Sequence, residues 1–164
     1  KPPFGANIKG GHDMQREYKI LAALSKHTSK VPKPIVLCTD HTILGSDFYL
    51  MHRIKGVILR RSSDAQSAVF FKELSHNAMN ALIELHQLSP AQIGLEDLGR
   101  PNGYVARQIH GWAKRYERAK TEDLPTMDVL SAWLFNNMPT EQGASLIHND
   151  YKYDNLNSVS VCCK

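Results

Sequence analysis

The residues of this chain best suited to chemistry lie near its end, in Leu146-Ile147-His148-Asn149-Asp150-Tyr151-Lys152-Tyr153-Asp154-Asn155-Leu156. The segment reads H-x-D-x-K-x-x-N directly after a short apolar run. Phosphoryl transfer asks little covalent chemistry of a protein and a good deal of positioning and charge neutralisation. A carboxylate beside the attacking hydroxyl takes its proton, and an amide oxygen can help hold a divalent cation against the phosphates. Asp150 and Asn155 are the right residue types for those two tasks. A loop can aim both into one cleft, whereas an α-helix turns five residues through about 500°, roughly 140° net, onto different faces. Lys152 is suited to meet a terminal phosphate as a point charge, and His148 to brace the loop by hydrogen bonding. The same residue types also describe an ordinary polar turn in which Asp and Asn cap backbone groups. The loop by itself does not separate these two readings.

Such a loop needs elements to hold it. Lys1 to Gly11, rich in Pro and Gly, reads as a loop. Asp13 is a candidate N-cap for a helix with the stripe Met14, Tyr18, Leu21 and Leu24 or Ser25, and Glu17 lies off that stripe. Pro32 and Pro34 precede Ile35-Val36-Leu37, which predicts a strand approached by extended chain. Ile43-Leu44-Gly45 and Phe48-Tyr49-Leu50-Met51 predict a further strand or hairpin, and Arg53 to Gly56 a connector. From about Ser67 the spacing of Leu74, Ala78, Ala81, Leu82, Leu85 and Leu88 predicts an amphipathic helix ended by Pro90. Val105, Ile109, Trp112 and Tyr116 form a second helical face, with Trp112 expected in the core and Arg107 and Arg115 on solvated faces. Met127, Leu130, Trp133 and Leu134 form a third, stopped by Pro139. Ala144 to Ile147 predicts a short buried strand running into His148. The fold class is α+β, a small mixed part up to residue 56 followed by a mostly helical part.

Composition narrows the class. With 42% hydrophobic and 22% charged residues among 164, the chain is neither disordered nor membrane-spanning in character. Its net charge of +4 suits a solvated basic surface or a cleft for a phosphorylated ligand. No Lys/Arg block interleaved with aromatics supports a nucleic-acid partner. Three cysteines, Cys38 and the adjacent Cys162 and Cys163, build no disulfide framework and point to a reducing, cytoplasmic setting, with an organelle also compatible.

Five further segments, in order, accompany the loop: Arg16-Glu17-Tyr18, Val31-Pro32-Lys33-Pro34, Gly45 to Met51 (G-x-x-F-Y-x-M), Gly94 to Pro101, and Tyr104-Val105-Ala106-Arg107-Gln108. With them the chain resembles the aminoglycoside phosphotransferase and choline kinase superfamily, whose catalytic loop reads H-G-D or H-N-D, four residues, then N. The last two segments are similar to a subgroup that includes the kinase-like domain joined to some acyl-CoA dehydrogenases. The resemblance spans roughly residues 1 to 156. It implies an incomplete protein-kinase-like two-lobe fold: a partial nucleotide-binding N-lobe and hinge over 1–56, and a helical C-lobe over 57–164 bearing the catalytic loop 148–155. It implies ATP and Mg2+ as cofactors and a small-molecule alcohol as acceptor, whether a hydroxyacyl-CoA, an aminoglycoside or a choline-like alcohol. Asp150 would then be the base, Asn155 a magnesium ligand, and His148 and Lys152 their support. Glu17 would pair with a strand lysine or arginine that grips the α- and β-phosphates. Met51, His52 and Ile54 would line the adenine pocket, chiefly through backbone groups.

The family pattern is expected to carry a phosphate-covering hairpin before Lys1 and a second metal-binding Asp after Asn155. None of Leu156 to Lys164 is acidic, and Asn157 to Cys163 lacks the expected strand pattern. The reading is therefore a piece of a kinase with slow or no turnover by itself, and its alternative a pseudokinase-like binding or scaffold module. Oligomeric state is not legible in these residues.

Overall fold

A computed structural model of the chain describes residues 13–60 and 67–158. The loop expected over 1–11 and the cysteines Cys162 and Cys163 lie outside the described residues. The element order is α1 (Met14–Leu24), β1 (Pro34–Cys38), α2 (His41–Leu44), β2 (Phe48–Met51), α3 (Ala68–Gln87), α4 (Tyr104–Ala119) and α5 (Pro125–Asn136), then a single 3-10 turn, Tyr153–Asn155. The chain forms two compact units, one running to Glu96 and resuming at Ser145, the other Asp97–Ala144.

In the first unit α1 begins where Asp13 Oδ1 accepts the Arg16 N–H at 2.9 Å, satisfying a donor that the first helical turn leaves unpaired. The helix buries Met14 and Leu24 of its stripe and Ala23 beside it, and packs on both β1 and β2. The two strands pair antiparallel, with Val36 opposite Leu50, Leu37 opposite Tyr49 and Cys38 opposite Phe48. The register shifts between Pro34 and Val36, where proline has no N–H to give a ladder. The strand expected at Ile43-Leu44 is instead the one-turn helix α2. Asp40 Oδ1 accepts the Thr42 N–H at 2.9 Å, and Gly45 closes the turn with φ 75°. Caps at both ends outweigh the β preference of a single isoleucine.

α3 opens with Ser67 Oγ accepting the Phe70 N–H at 3.2 Å. It ends at Gln87, before an extended Leu88 and Pro90. The following turn, with Gly94 at φ 73° and Leu95 N–H donating to Pro90 O at 2.8 Å, buries Ile93 and Leu95. Leu95 is 1% exposed, the most deeply buried large side chain of the described residues.

In the second unit α4 packs on α5. The N-cap of α4 is Gly103, whose φ of 70° suits glycine and which has no side chain to cap with. Glu141 does that work from the far side of α5: its Oε2 accepts the Gly103 N–H at 2.8 Å and its Oε1 the Val105 N–H at 3.4 Å. These backbone donors, Gly103 foremost, hold the Glu141 carboxyl below its ordinary range. Trp112, expected in the core, is 63% exposed, with the Arg115 guanidinium 4.6 Å over its ring. An apolar stripe is buried only where another surface meets it, and α5 meets only part of this one. Ala144 to Ile147 is not a strand and is largely exposed, without a strand partner among the described residues. No helix among the described residues is long and apolar enough to cross a membrane.

Two outcomes follow from this packing. Leu95→Ala removes a fully enclosed side chain and lowers unfolding stability by about 2–5 kcal/mol in urea denaturation. Glu141→Gln weakens the cap on α4 and lowers the thermal midpoint at pH 7. Because the Glu141 pKa is lower folded than unfolded, its contribution is present above the ordinary carboxylate pKa. It is lost as pH falls through the folded value, so the melting curves of wild type and variant converge as the pH is taken below the ordinary carboxylate range.

Candidate active site

The 148–155 loop hangs on α3. Tyr151 Oη donates to the Ala78 carbonyl at 2.5 Å, and Tyr153 Oη lies 2.7 Å from Ser75 Oγ. The Y-x-Y alternation sends both phenols to α3 and leaves Lys152 between them exposed. Partial burial pushes the Tyr151 phenol up, keeping its proton for the helix carbonyl. Within the loop, the Asp150 N–H donates to His148 Nδ1 at 3.4 Å, and the His148 and Tyr151 rings meet edge to face at 5.4 Å. His148 therefore contacts the loop's own backbone and ring.

Asn149 has φ 66°, the only positive value outside glycine among the described residues. Asn tolerates this region better than any residue except Gly. The H-G-D or H-N-D pattern thus has a backbone cause: the chain must turn left-handed one residue before Asp150.

That turn and the 3-10 turn beyond it bring Asp150 and Asn155 together. Asn155 Nδ2 donates to Asp150 Oδ2 at 2.7 Å and to Asp150 O at 2.9 Å. With its nitrogen engaged twice, Asn155 presents Oδ1 without a donor among the described residues. Lys152 Nζ stands 3.4 Å from Asp150 Oδ1. The Asn155 amide first, and Lys152 second, hold the Asp150 carboxyl below its ordinary range. It is ionised at neutral pH, the form a proton acceptor needs. Both partners of the Lys152–Asp150 pair are more than half exposed, so the pair adds little to stability.

The other expected residues lie in the same unit. Glu17, exposed on α1, accepts a hydrogen bond from Tyr49 Oη at 3.1 Å. Burial and the Glu17 charge push the Tyr49 phenol up, so it stays a donor. The lysine or arginine expected to meet Glu17 falls outside the described residues. In the connector after β2, the His52 N–H donates to Lys33 O at 2.9 Å, and Ile54 O accepts from Asn157 Nδ2 at 3.1 Å. The Arg53 backbone N–H and C=O have no partner among the described residues. Met51 closes β2 with its side chain 47% exposed. An open groove lies along α3, lined by Lys72, Ser75, His76 and Met79 among others, and neither Asp150 nor Asn155 lines it.

Four residues that shape the site carry little or no signal in the sequence. Tyr151 and Tyr153 were visible only as alternating aromatics in a polar loop, and Tyr49 only as part of an apolar run. Asn157 had no signal at all, since its partner is 103 residues away.

Residues 10–157 match the model of the phosphotransferase enzyme family. The chain is 35% identical over 163 residues to acyl-CoA dehydrogenase family member 11 of Homo sapiens, covering 95% of this chain and 20% of that protein. It is 33% identical over 157 residues to acyl-CoA dehydrogenase family member 10 of Mus musculus, again over 95% of this chain and 15% of that protein. The chain thus spans a fifth or less of the length of these curated relatives. It is also similar to the crystal structure of a Ralstonia eutropha protein assigned as an aminoglycoside phosphotransferase. That likeness has a TM-score of 0.82 and 32% identity over 90% of this chain and 46% of that one. The small sheet and its helices therefore have a kinase-like phosphotransferase fold.

The left-handed residue is open to direct test. Asn149→Gly keeps the turn and leaves stability within about 0.5 kcal/mol of wild type in urea denaturation. Asn149→Ala keeps a Cβ in the left-handed region but removes the amide whose local hydrogen bonding makes that region tolerable, and costs about 1 kcal/mol.

Proposed function

The chain belongs to the phosphotransferase enzyme family, and on that footing we propose that it transfers the γ-phosphoryl group of ATP to a hydroxyl of a small molecule. The observation that supports this most is the contact between Asn155 Nδ2 and Asp150 Oδ2. It orders an ionised carboxylate and a free amide oxygen side by side on one loop.

In this reading Asp150 accepts the proton of the acceptor hydroxyl as its oxygen attacks the γ-phosphorus. The bond to the bridging oxygen breaks and ADP leaves. Lys152 shares the charge around Asp150 and is near enough to turn toward a phosphate oxygen. Asn155 offers Oδ1 to magnesium, which when bound neutralises phosphate charge. The fit is chemical: magnesium takes oxygen ligands, keeps several waters and needs few protein groups. Residues up to 56 form the nucleotide-facing lobe and the remainder the helical lobe. Glu17, steadied by Tyr49, orients the cation that grips the inner phosphates. The segment Met51, His52 and Ile54 borders the adenine. The His52 N–H and the Ile54 carbonyl are already engaged, so the other backbone groups of residues 52–54, those of Arg53 among them, meet the adenine edge. The names of the relatives point the acceptor toward a hydroxylated acyl thioester more than an antibiotic.

Phosphorylation of hydroxyacyl-CoA, aminoglycoside and choline acceptors by the full-length protein with Mg-ATP tests the proposal. Asp150→Asn is expected to lower turnover by about 10²- to 10⁴-fold while Mg-ATP still binds. Turnover that survives this substitution unchanged rejects the assignment of the base. Nucleotide binding without transfer to any acceptor would identify a binding module instead.

A further inference from the structure

Beyond the loop, the chain doubles back against the connector. Asn157 Nδ2 donates to Ile54 O at 3.1 Å. The Val57 N–H donates to Ser158 O at 3.0 Å, and the Ser158 N–H returns to Val57 O at 2.9 Å, an isolated antiparallel bridge. Three hydrogen bonds thus join residues 54–57 to residues 157–158, about a hundred positions apart. The approach is possible only because residue 56 is glycine. A Cβ there would overlap Oδ1 of Asn157 and lie 2.7 Å from Ser158 O. The second contact is with backbone, which cannot rotate away. The segment expected to lack a strand pattern thus pairs at Ser158 through backbone groups, which need no particular side chain.

We propose that Asn157, seated in the space Gly56 leaves open, is a positioning residue that sets the distance between the adenine-facing connector and the metal-binding end of the loop. The inference rests on the phosphotransferase reading above. Asn157 lies two residues after Asn155, so its anchor on Ile54 fixes where the Asn155 amide oxygen sits relative to Arg53. A single nucleotide must reach both places at once, its base at the connector and its phosphates, through the cation, at Asn155. The clamp is therefore felt by ligands that span the two sites and not by ligands that fill one. Misplacing a reacting group by about 1 Å can cost roughly a hundredfold, so a lost hydrogen bond at this point registers in function before it registers in folding.

The test compares Mg-ATP with adenosine, by calorimetry on the full-length protein. Asn157→Ala is expected to weaken Mg-ATP about tenfold and leave adenosine affinity unchanged, with a thermal midpoint near wild type. Asn157→Asp, of the same shape but turning an oxygen toward the Ile54 carbonyl, is expected to act in the same direction. Gly56→Ala, which displaces backbone, is expected to give a larger loss for Mg-ATP. If both Asn157 variants bind Mg-ATP as wild type does, or weaken adenosine equally, the clamp is overturned and the phosphotransferase reading stands. If the wild-type protein binds neither ligand, both fall together.

Discussion

One hydrogen bond organises this site: the Asn155 amide on the Asp150 carboxylate. It lowers the proton affinity of the carboxyl and engages the amide nitrogen, leaving its oxygen without a donor among the described residues. It also requires the chain to reverse direction within five residues. The left-handed Asn149 and the 3-10 turn at Tyr153–Asn155 accomplish that reversal. Both are sparsely used backbone states that short polar residues tolerate.

The loop is mostly exposed, so burial does not hold it. α1 and the β1–β2 pair gain their stability from removing apolar side chains such as Met14 and Leu24 from water. The loop instead depends on polar contacts at each end: two phenols on α3 and an amide with a backbone bridge on the connector. Each is modest singly, yet together they leave few alternative paths for the five residues between Tyr151 and Asn157. The same division, apolar packing for the scaffold and polar pins for the site, explains why the chemistry-bearing residues can remain accessible.

Much of the scaffold was legible in the chain itself. Asp13 and Ser67 announced the starts of α1 and α3, and Pro90 the end of α3, because caps and breakers act within a few residues of where they stand. Segments with an apolar pattern but no cap or breaker of the expected kind are less legible. Ile43-Leu44 has the apolar side chains of a strand, but the caps at Asp40 and Gly45 close a one-turn helix there. Ala144 to Ile147 has the pattern of a buried strand, and Trp112 that of a core residue, yet both are largely exposed. In both cases the pattern supplied an apolar face but no knowledge of whether anything would cover it.

For the site, residue types and spacing alone determined that a carboxylate, an amide and a lysine would share one loop, since these are local properties of eleven consecutive residues. Order along the chain likewise indicated the kinase-like phosphotransferase fold. Only the tertiary structure decided which atoms meet: that Asn155 turns its nitrogen to Asp150, that Tyr49 rather than a described cation meets Glu17, and that Asn157 crosses to Ile54. The physical reason is that hydrogen bonds are short and directional. Whether two groups far apart in sequence form one depends on angstrom-scale placement of their backbones, and no local pattern encodes that.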